Sequence, residues 1–266
     1  MSVWQETMGA VRRGAWPEIP MRPSQWVEQY RRLSPRESPE PGRLRLARTP
    51  YLIELLDAFG DPGVDRVSIK AATQIGKTLY LMSCVAYAVD QLPGRIMYVM
   101  PTEQAARSIS KQRFQEMIEH CDRLRNRLQS GIGSNTRLLV EFDSCTLHFA
   151  WANSPTVLSS FPVGRVILDE VNKFPIQTGD EADPVKLAEE RVKNFWDGKM
   201  LLASTPTIPS GYISREYEAS DKRRLFCPCP HCGAYAPWVF SRVRFDKTLP
   251  LERIEARLLD GDDRAL

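Results

Sequence analysis

Short apolar runs alternate with longer segments of helical character along this chain, and turn residues separate them. Val67, Ser68, Ile69 and Lys70 close a strand over 65–70, and the run from Leu79 to Ala86 is apolar nearly all round, which predicts a buried helix over 77–89. Pro93-Gly94 marks a turn, and 95–100 is a second apolar strand ending at Pro101-Thr102-Glu103-Gln104. The helix after it should run to about 130, punctuated near Cys121-Asp122. Residues 137–142 and 145–151 read as two strands about an Asp143-Ser144 turn, a hairpin by spacing. A strand over 166–170, a helix near 184–195 and a strand over 199–203 complete the pattern. Strands alternating with helices predict an α/β fold with a mostly parallel central sheet flanked by helices.

The N-terminal part reads differently. Residues 14–50 are dense in Pro, Arg, Ser and Glu and predict an extended arm with a short helix around 24–33, Ser24 serving as N-cap and Glu28 in the first turns. Thr49-Pro50 then opens a helix over 51–59, which Gly60-Asp61-Pro62-Gly63 stops. The expected division is an arm over 1–48, the main domain over 49–225, and a cysteine-bearing segment over 226–266.

At 266 residues, the chain has room for one large α/β domain with appendages or for two small ones. No apolar run approaches the ~18 residues of a membrane helix. The first residues mix Trp4, Glu6, Arg12 and Arg13, which is no signal core, so a cytosolic protein without membrane contact is expected. The net charge of +3 says little about partners. Its distribution says more: residues 1–48 carry nine Arg against five Glu, with no Lys or Asp. Such an arm suits phosphate contacts, and the same composition also suits a solvated linker.

The most informative stretch is Lys70-Ala71-Ala72-Thr73-Gln74-Ile75-Gly76-Lys77-Thr78, a phosphate-binding loop between a strand and a helix. Backbone N–H groups of the loop and of the helix N-terminus suit phosphate oxygens. Lys77 is the residue to neutralise β- and γ-phosphates, and the Thr78 hydroxyl completes a magnesium shell. Lys70 adds a second cation. Ala71 stands where the pattern has its first glycine, so the turn there cannot rely on glycine's freedom.

The partner of this loop is Val166-Ile167-Leu168-Asp169-Glu170. Three apolar residues set two carboxylates at the carboxyl end of a strand, where ligands bind in open α/β sheets. Asp169 is the candidate magnesium residue, and Glu170 the residue that orients and deprotonates an attacking water. Gly-Lys-Thr alone arises by chance, and a solvated acidic turn alone is ordinary; together they point to nucleotide hydrolysis. Adjacent carboxylates favour hydrolysis over transfer to a second substrate, which argues against a kinase. Ser204-Thr205-Pro206-Thr207 ends the last strand at the same edge, placing a hydroxyl pair to sense the γ-phosphate; a polar turn closed by proline has the same look.

Cys227-Pro-Cys229-Pro-His231-Cys232-Gly contains half of a zinc ribbon, with Cys229 and Cys232 as the pair. A full site needs four ligands, His231 would serve only with strained geometry, and no second pair appears before Leu266. Cys84, Cys121 and Cys145 read as reduced core or surface residues.

Taken in order, these residues resemble the large subunit of lambda-type phage terminases. Leu33-Ser34-Pro35, Glu37-Ser38, Glu40-Pro41-Gly42 and Thr49-Pro50-Tyr51 are similar to that family's approach to its phosphate loop. Ala152-Asn153-Ser154-Pro155 with Leu158, then Leu168-Asp169-Glu170-Val171, Arg191, Ser204-Thr205-Pro206-Thr207, Ser220-Asp221 and the Cys229/Cys232 knuckle follow in the family's order. The resemblance runs from about residue 26 to 240. It implies an additional-strand, RecA-like P-loop NTPase core with ATP and Mg2+ as ligands. It also implies a role as the ATPase motor that drives double-stranded DNA into a procapsid in the host cytoplasm. Partners implied are the terminase small subunit, the portal vertex and further copies of the chain in a ring, or a monomer for an isolated ATPase portion.

Residue by residue, Tyr51 matches the region that contacts adenine, and Thr205 the motif that couples hydrolysis to movement. Ala71 in the glycine position is tolerated in the family, and Asn172 stands where an Asp is common. Arg191 and Arg107 are the candidates for an arginine acting on a neighbouring subunit's phosphate, and either also suits a structural ion pair. Family members carry a nuclease domain after the ATPase; 240–266 is too short for one, so an isolated ATPase portion is expected, with the second half of a Zn2+ site beyond it. A superfamily 2 helicase fragment shares the Asp-Glu strand but needs a second RecA-like domain. A non-catalytic DNA-binding module on a P-loop fold is disfavoured by intact Lys77, Thr78, Asp169 and Glu170.

Overall fold

The structure is a computed structural model that describes residues 21–129, 136, 138–176, 183–229, 232–237, 243–244 and 257–258. They fall into two compact units, one ending at Glu218 and one beginning at Ala219. The division precedes the one expected at 225/226, because residues 219–225 are exposed and carry no helix or strand.

Eight strands belong to the first unit: β1 (Arg32–Leu33), β2 (Gly42–Arg43), β3 (Arg66–Lys70), β4 (Gly94–Met100), β5 (Leu139–Glu141), β6 (Cys145–Trp151), β7 (Arg165–Asp169) and β8 (Lys199–Ser204). The last six form one sheet in the order β3-β8-β7-β4-β6-β5. All neighbours are parallel except β5, which runs antiparallel to β6 at the edge and makes the expected hairpin. The two strands that carry the motifs are therefore not adjacent. β8 lies between β3 and β7, and it is this additional strand that brings the 204–207 turn between the phosphate loop and the carboxylates.

Every residue of β7 and β8 is buried, as expected of parallel strands covered on both faces. Strand alternation divides their side chains between two cores. Tyr98, Ile167 and Leu201 face one, together with the loop helix Lys77–Gln91 and the N-terminal helices. Val99, Leu168 and Leu202 face the other, with Leu158, Val185, Ala188 and Ile213 from three short helices, Pro155–Ser159, Pro184–Glu190 and Tyr212–Glu218. The first and last of these helices are too short to announce themselves by periodicity. The middle one stops well before 195, giving way to turns over 191–194.

The described residues of the expected arm, 21–48, are built into the first core: Trp26, Val27, Leu44 and Leu46 are all buried there. The helix begins at Pro23, with Arg22 rather than Ser24 at the N-cap position. Proline is well suited to the first helical position, since its missing N–H would have no intrahelical partner. The Ser24 N–H donates instead to Asp57 Oδ1 at 3.0 Å. Trp26 Nε1 donates to the buried Asp90 Oδ2 at 2.7 Å, pinning this helix to the end of the loop helix. The long helix expected from 103 is segmented: Glu103–Ile109, a π-helical stretch Ser110–Phe114, then Gln115–His120. It breaks at Cys121, whose extended backbone (φ −117°, ψ 105°) precedes the short helix Asp122–Arg125.

In the second unit, β9 (Phe226–Pro228) and β10 (Tyr235–Pro237) pair antiparallel. The Gly233 N–H donates to the Cys229 carbonyl at 2.9 Å, with Gly233 at φ +73°, so the knuckle turn requires its glycine. His231 lies outside the described residues. Among the described residues no group of three or more His, Cys, Asp or Glu is placed to hold a metal ion.

Candidate active site

The five parallel strands end at one edge, and the sequence motifs meet there. In register, Lys70 of β3 lies beside Ser204 of β8, and Asp169 of β7 beside Ala203. The phosphate loop leaves this edge at Ala71, whose N–H still donates to the Ser204 carbonyl at 3.3 Å. Its left-handed residues are Gln74 (φ 61°) and Gly76 (φ 84°), and Ala71 is not one of them. The alanine in the first glycine position is therefore no obstacle, because the turn that needs positive φ occurs later. Gly76 supplies it immediately before the loop helix begins at Lys77.

Lys77 Nζ donates to the carbonyls of Ala71 and Ala72 and, at 3.0 Å, to Thr205 Oγ1. Partial burial lowers the ammonium's pKa, and the Asp169 and Glu170 carboxylates oppose that shift. The cation thus sits within the field of both acids and against the hydroxyl of the 204–207 turn. Thr205 is brought there by β8, as the sequence order of motifs anticipates.

Asp169 is almost wholly buried. Its Oδ2 accepts from Thr78 Oγ1 at 3.1 Å and from the Tyr98 hydroxyl at 2.9 Å. Its Oδ1 is buried with no hydrogen-bond partner among the described residues. Burial raises the carboxyl's pKa; hydrogen bonds from Tyr98 and Thr78 pull it down, and the neighbouring Glu170 charge pushes it up again. An orphaned carboxylate oxygen next to a threonine hydroxyl fits a hard, oxygen-seeking cation, so these residues suit magnesium.

Glu170 follows β7 in a left-handed conformation (φ 59°, ψ 41°), uncommon for a residue with a side chain and a feature that clusters at functional sites. Its Oε2 pairs with Lys173 Nζ at 2.8 Å, and the carboxylate is partly exposed. Tyr51 donates its hydroxyl to the Ile75 carbonyl at 3.0 Å, so it lies against the phosphate loop. Ala72, Thr73 and Gln74 form the exposed crest of that loop. Lys70 Nζ stands 5.4 Å from the centroid of the Tyr217 ring.

Arg191 is not brought to this edge. Its carbonyl accepts from the Val163 N–H, ahead of β7 and hence at the opposite edge, and its Nη1 donates to the Ser159 carbonyl at 3.1 Å. It joins two of the short helices within the unit. Arg107 is exposed on the helix that starts at the carboxyl edge, paired with Glu103 at 2.6 Å.

Two residues were missed as site residues. Tyr98 reads from sequence as an ordinary core aromatic of an apolar strand; only the placement of β4 beside β7 gives its hydroxyl a partner in Asp169. Asn172 reads as a departure from an acidic pattern, yet its amide makes a set of bonds to the 205–213 segment that a carboxylate could not make.

The family model described as phage terminase large subunit gpA, ATPase domain, matches residues 38–259. The terminase large subunit of Enterobacteria phage P21 is 24% identical over 225 residues, covering 81% of this chain and 34% of that protein. The chain thus spans about a third of the length of the curated relative it matches. Among solved structures, the HK97 bacteriophage large terminase aligns with a TM-score of 0.59 at 14% identity, over 74% of this chain and 40% of that one. That likeness speaks for the fold. A looser one, to the large terminase of the thermophilic bacteriophage D6E in complex with ADP, has a TM-score of 0.43 at 19% identity, over 58% of this chain and 36% of that one.

Proposed function

From the premise that this chain belongs to the family of phage terminase large subunit gpA ATPase domains, we propose that it is the ATPase motor of a DNA-packaging terminase. It hydrolyses ATP and couples the hydrolysis to movement of double-stranded DNA into a procapsid. The observation that carries this reading is the convergence of Lys77, Thr205, Thr78 and Asp169 at one sheet edge, linked by contacts of 3.0 Å and 3.1 Å.

Lys77 and the loop N–H groups hold the β- and γ-phosphates, with Tyr51 on the base side of the loop. Thr78 and Asp169 are the residues for magnesium, which when bound neutralises phosphate charge. Glu170 orients the attacking water and takes its proton. Thr205 contacts the cation that holds the γ-phosphate and so registers its departure. Of the two arginines considered for action in trans, Arg107 is the one exposed at the right edge, so a ring neighbour is the natural recipient of its charge. DNA contacts go to phosphates, as transport without regard to sequence requires. The terminase small subunit and the portal are the further partners, in the host cytoplasm. No described helix is long and apolar enough to cross a membrane.

The test is phosphate release from Mg-ATP over a protein concentration series, with and without linear double-stranded DNA. The reading expects turnover per subunit to climb with concentration and with DNA. Absence of ATP binding in folded protein would overturn it.

A further inference from the structure

Asn172 lies two residues beyond Glu170, and it is tied to the site by four hydrogen bonds. Its backbone N–H donates to Ser204 Oγ at 3.1 Å. Its side-chain Nδ2 donates to the Thr205 carbonyl at 3.1 Å and to Thr207 Oγ1 at 3.3 Å. Its Oδ1 accepts from the Ile213 N–H at 2.9 Å, in the first turn of the helix Tyr212–Glu218. The orientation of the amide is dictated by its partners: a carbonyl can only accept and a peptide N–H can only donate. A side chain that must donate on one side and accept on the other, at this length, has to be an amide. A carboxylate would set a negative oxygen against the Thr205 carbonyl.

The surroundings are shaped to this amide. A Cβ at Gly211 would come within 2.9 Å of Nδ2 and 3.0 Å of Oδ1, so glycine there makes the room. The helix it caps packs along β3. Glu216 pairs with Arg66 of β3 at 3.1 Å, and the Tyr217 ring lies under Lys70, the residue that enters the loop. The chain leaves the first unit at the end of this helix.

We infer that Asn172 is a positioning residue for ATP hydrolysis: its amide holds Thr205 against Lys77 and passes the state of that contact to the helix Tyr212–Glu218. The inference rests on the ATP-hydrolysis reading above. It gives the Asp-to-Asn departure a physical purpose. One side chain spans the turn after Glu170, the coupling turn and the outgoing helix, so a shift of Thr205 with the γ-phosphate moves the helix N-terminus as well.

The test compares the wild type with Asn172→Asp and Gly211→Ala. Asn172→Asp keeps an acceptor for the Ile213 N–H, so the helix stays capped, while the donor bond to the Thr205 carbonyl is replaced by a repulsive contact. Three quantities are read: affinity for a fluorescent ATP analogue, kcat and KM for ATP, and hydrogen exchange of amides 213–218 with and without a non-hydrolysable ATP analogue. Wild type should show a nucleotide-linked change in that exchange. Asn172→Asp should keep analogue affinity and KM within about 3-fold and lose about 10-fold in kcat, on the scale of one lost hydrogen bond. The nucleotide-linked change in exchange should vanish. Gly211→Ala, which crowds the same amide without altering its chemistry, should move kcat and exchange in the same direction. Wild-type kcat and an unchanged exchange response in folded Asn172→Asp would overturn the inference while leaving ATP hydrolysis standing. Failure of the wild type to bind the analogue would instead remove the reading beneath it.

Discussion

The Tyr98 hydroxyl donates to Asp169 Oδ2 at 2.9 Å from the strand next door, and both side chains are buried. Because Thr78 Oγ1 takes the same oxygen, Oδ1 is left without a partner among the described residues. Tyr98 therefore orients the carboxylate that we assign to magnesium. Tyr98→Phe should raise the Mg2+ concentration for half-maximal ATP turnover by about 10-fold or more, the usual scale for losing an outer hydrogen bond to a metal residue. An unchanged magnesium dependence would show that the hydroxyl only satisfies burial.

Asp169 should carry a stability cost that its removal relieves. Its folded pKa is raised, chiefly by burial, so between the unfolded value of about 3.9 and the folded one the native state holds more protons than the unfolded one and stability falls as pH rises. Compared with wild type, Asp169→Asn should melt higher at pH 7, by about 2–4 °C per kcal/mol relieved, and the gap should close near pH 4. Calorimetry at the two pH values checks this. A variant that melts lower at pH 7 would mean the ionised carboxylate is stabilising.

Thr205→Val keeps shape and removes the hydroxyl that Lys77 contacts at 3.0 Å. Turnover should drop about 10-fold while ATP affinity changes little, since the lysine keeps its charge and its two carbonyl partners. Equal losses in binding and turnover would make Thr205 part of the binding loop instead of a sensor.

Asp90 tests the packing of the N-terminal segment. Its buried carboxylate receives Trp26, Arg123 and Gln91 on Oδ2 and Arg127 on Oδ1. Burial alone would raise its pKa, but the bonds from Arg127, Trp26 and Gln91 outweigh it and hold the pKa below the usual value. This contribution is present above the unfolded pKa of about 3.9 and is lost as pH falls through the folded one. Asp90→Ala should cost about 1–3 kcal/mol in urea unfolding at pH 7, the scale for leaving the buried Trp26 N–H and two partly exposed arginines without their acceptor. A loss below about 1 kcal/mol would show that the arginines find water instead.

The sequence carried the phosphate loop, the Asp-Glu strand and most of the sheet, because fully buried parallel strands appear as unbroken apolar runs, as in β7 and β8. The position of β8 between β3 and β7 was implied only by the family resemblance, since strand order leaves no mark on local pattern. Residues 21–48 misled for the opposite reason: their Pro and Arg content suggests solvent, yet Trp26 and Leu44 supply enough apolar surface to enter the core. Arg191 lies in the right motif order but at the end of a helix that carries it to the far edge. Tyr98 and Asn172 became visible only when strand neighbours and turn partners were in place, because their roles depend on what they face.

The central claim is that this sheet edge hydrolyses ATP with Glu170 as the residue that activates water. The most direct measurement is phosphate release and ATP-analogue binding by wild type and Glu170→Gln side by side. The account predicts that Glu170→Gln binds the analogue within about 3-fold of wild type and releases phosphate at least ~10²-fold more slowly, the scale of lost general-base catalysis. Equal phosphate release by the two proteins would contradict it.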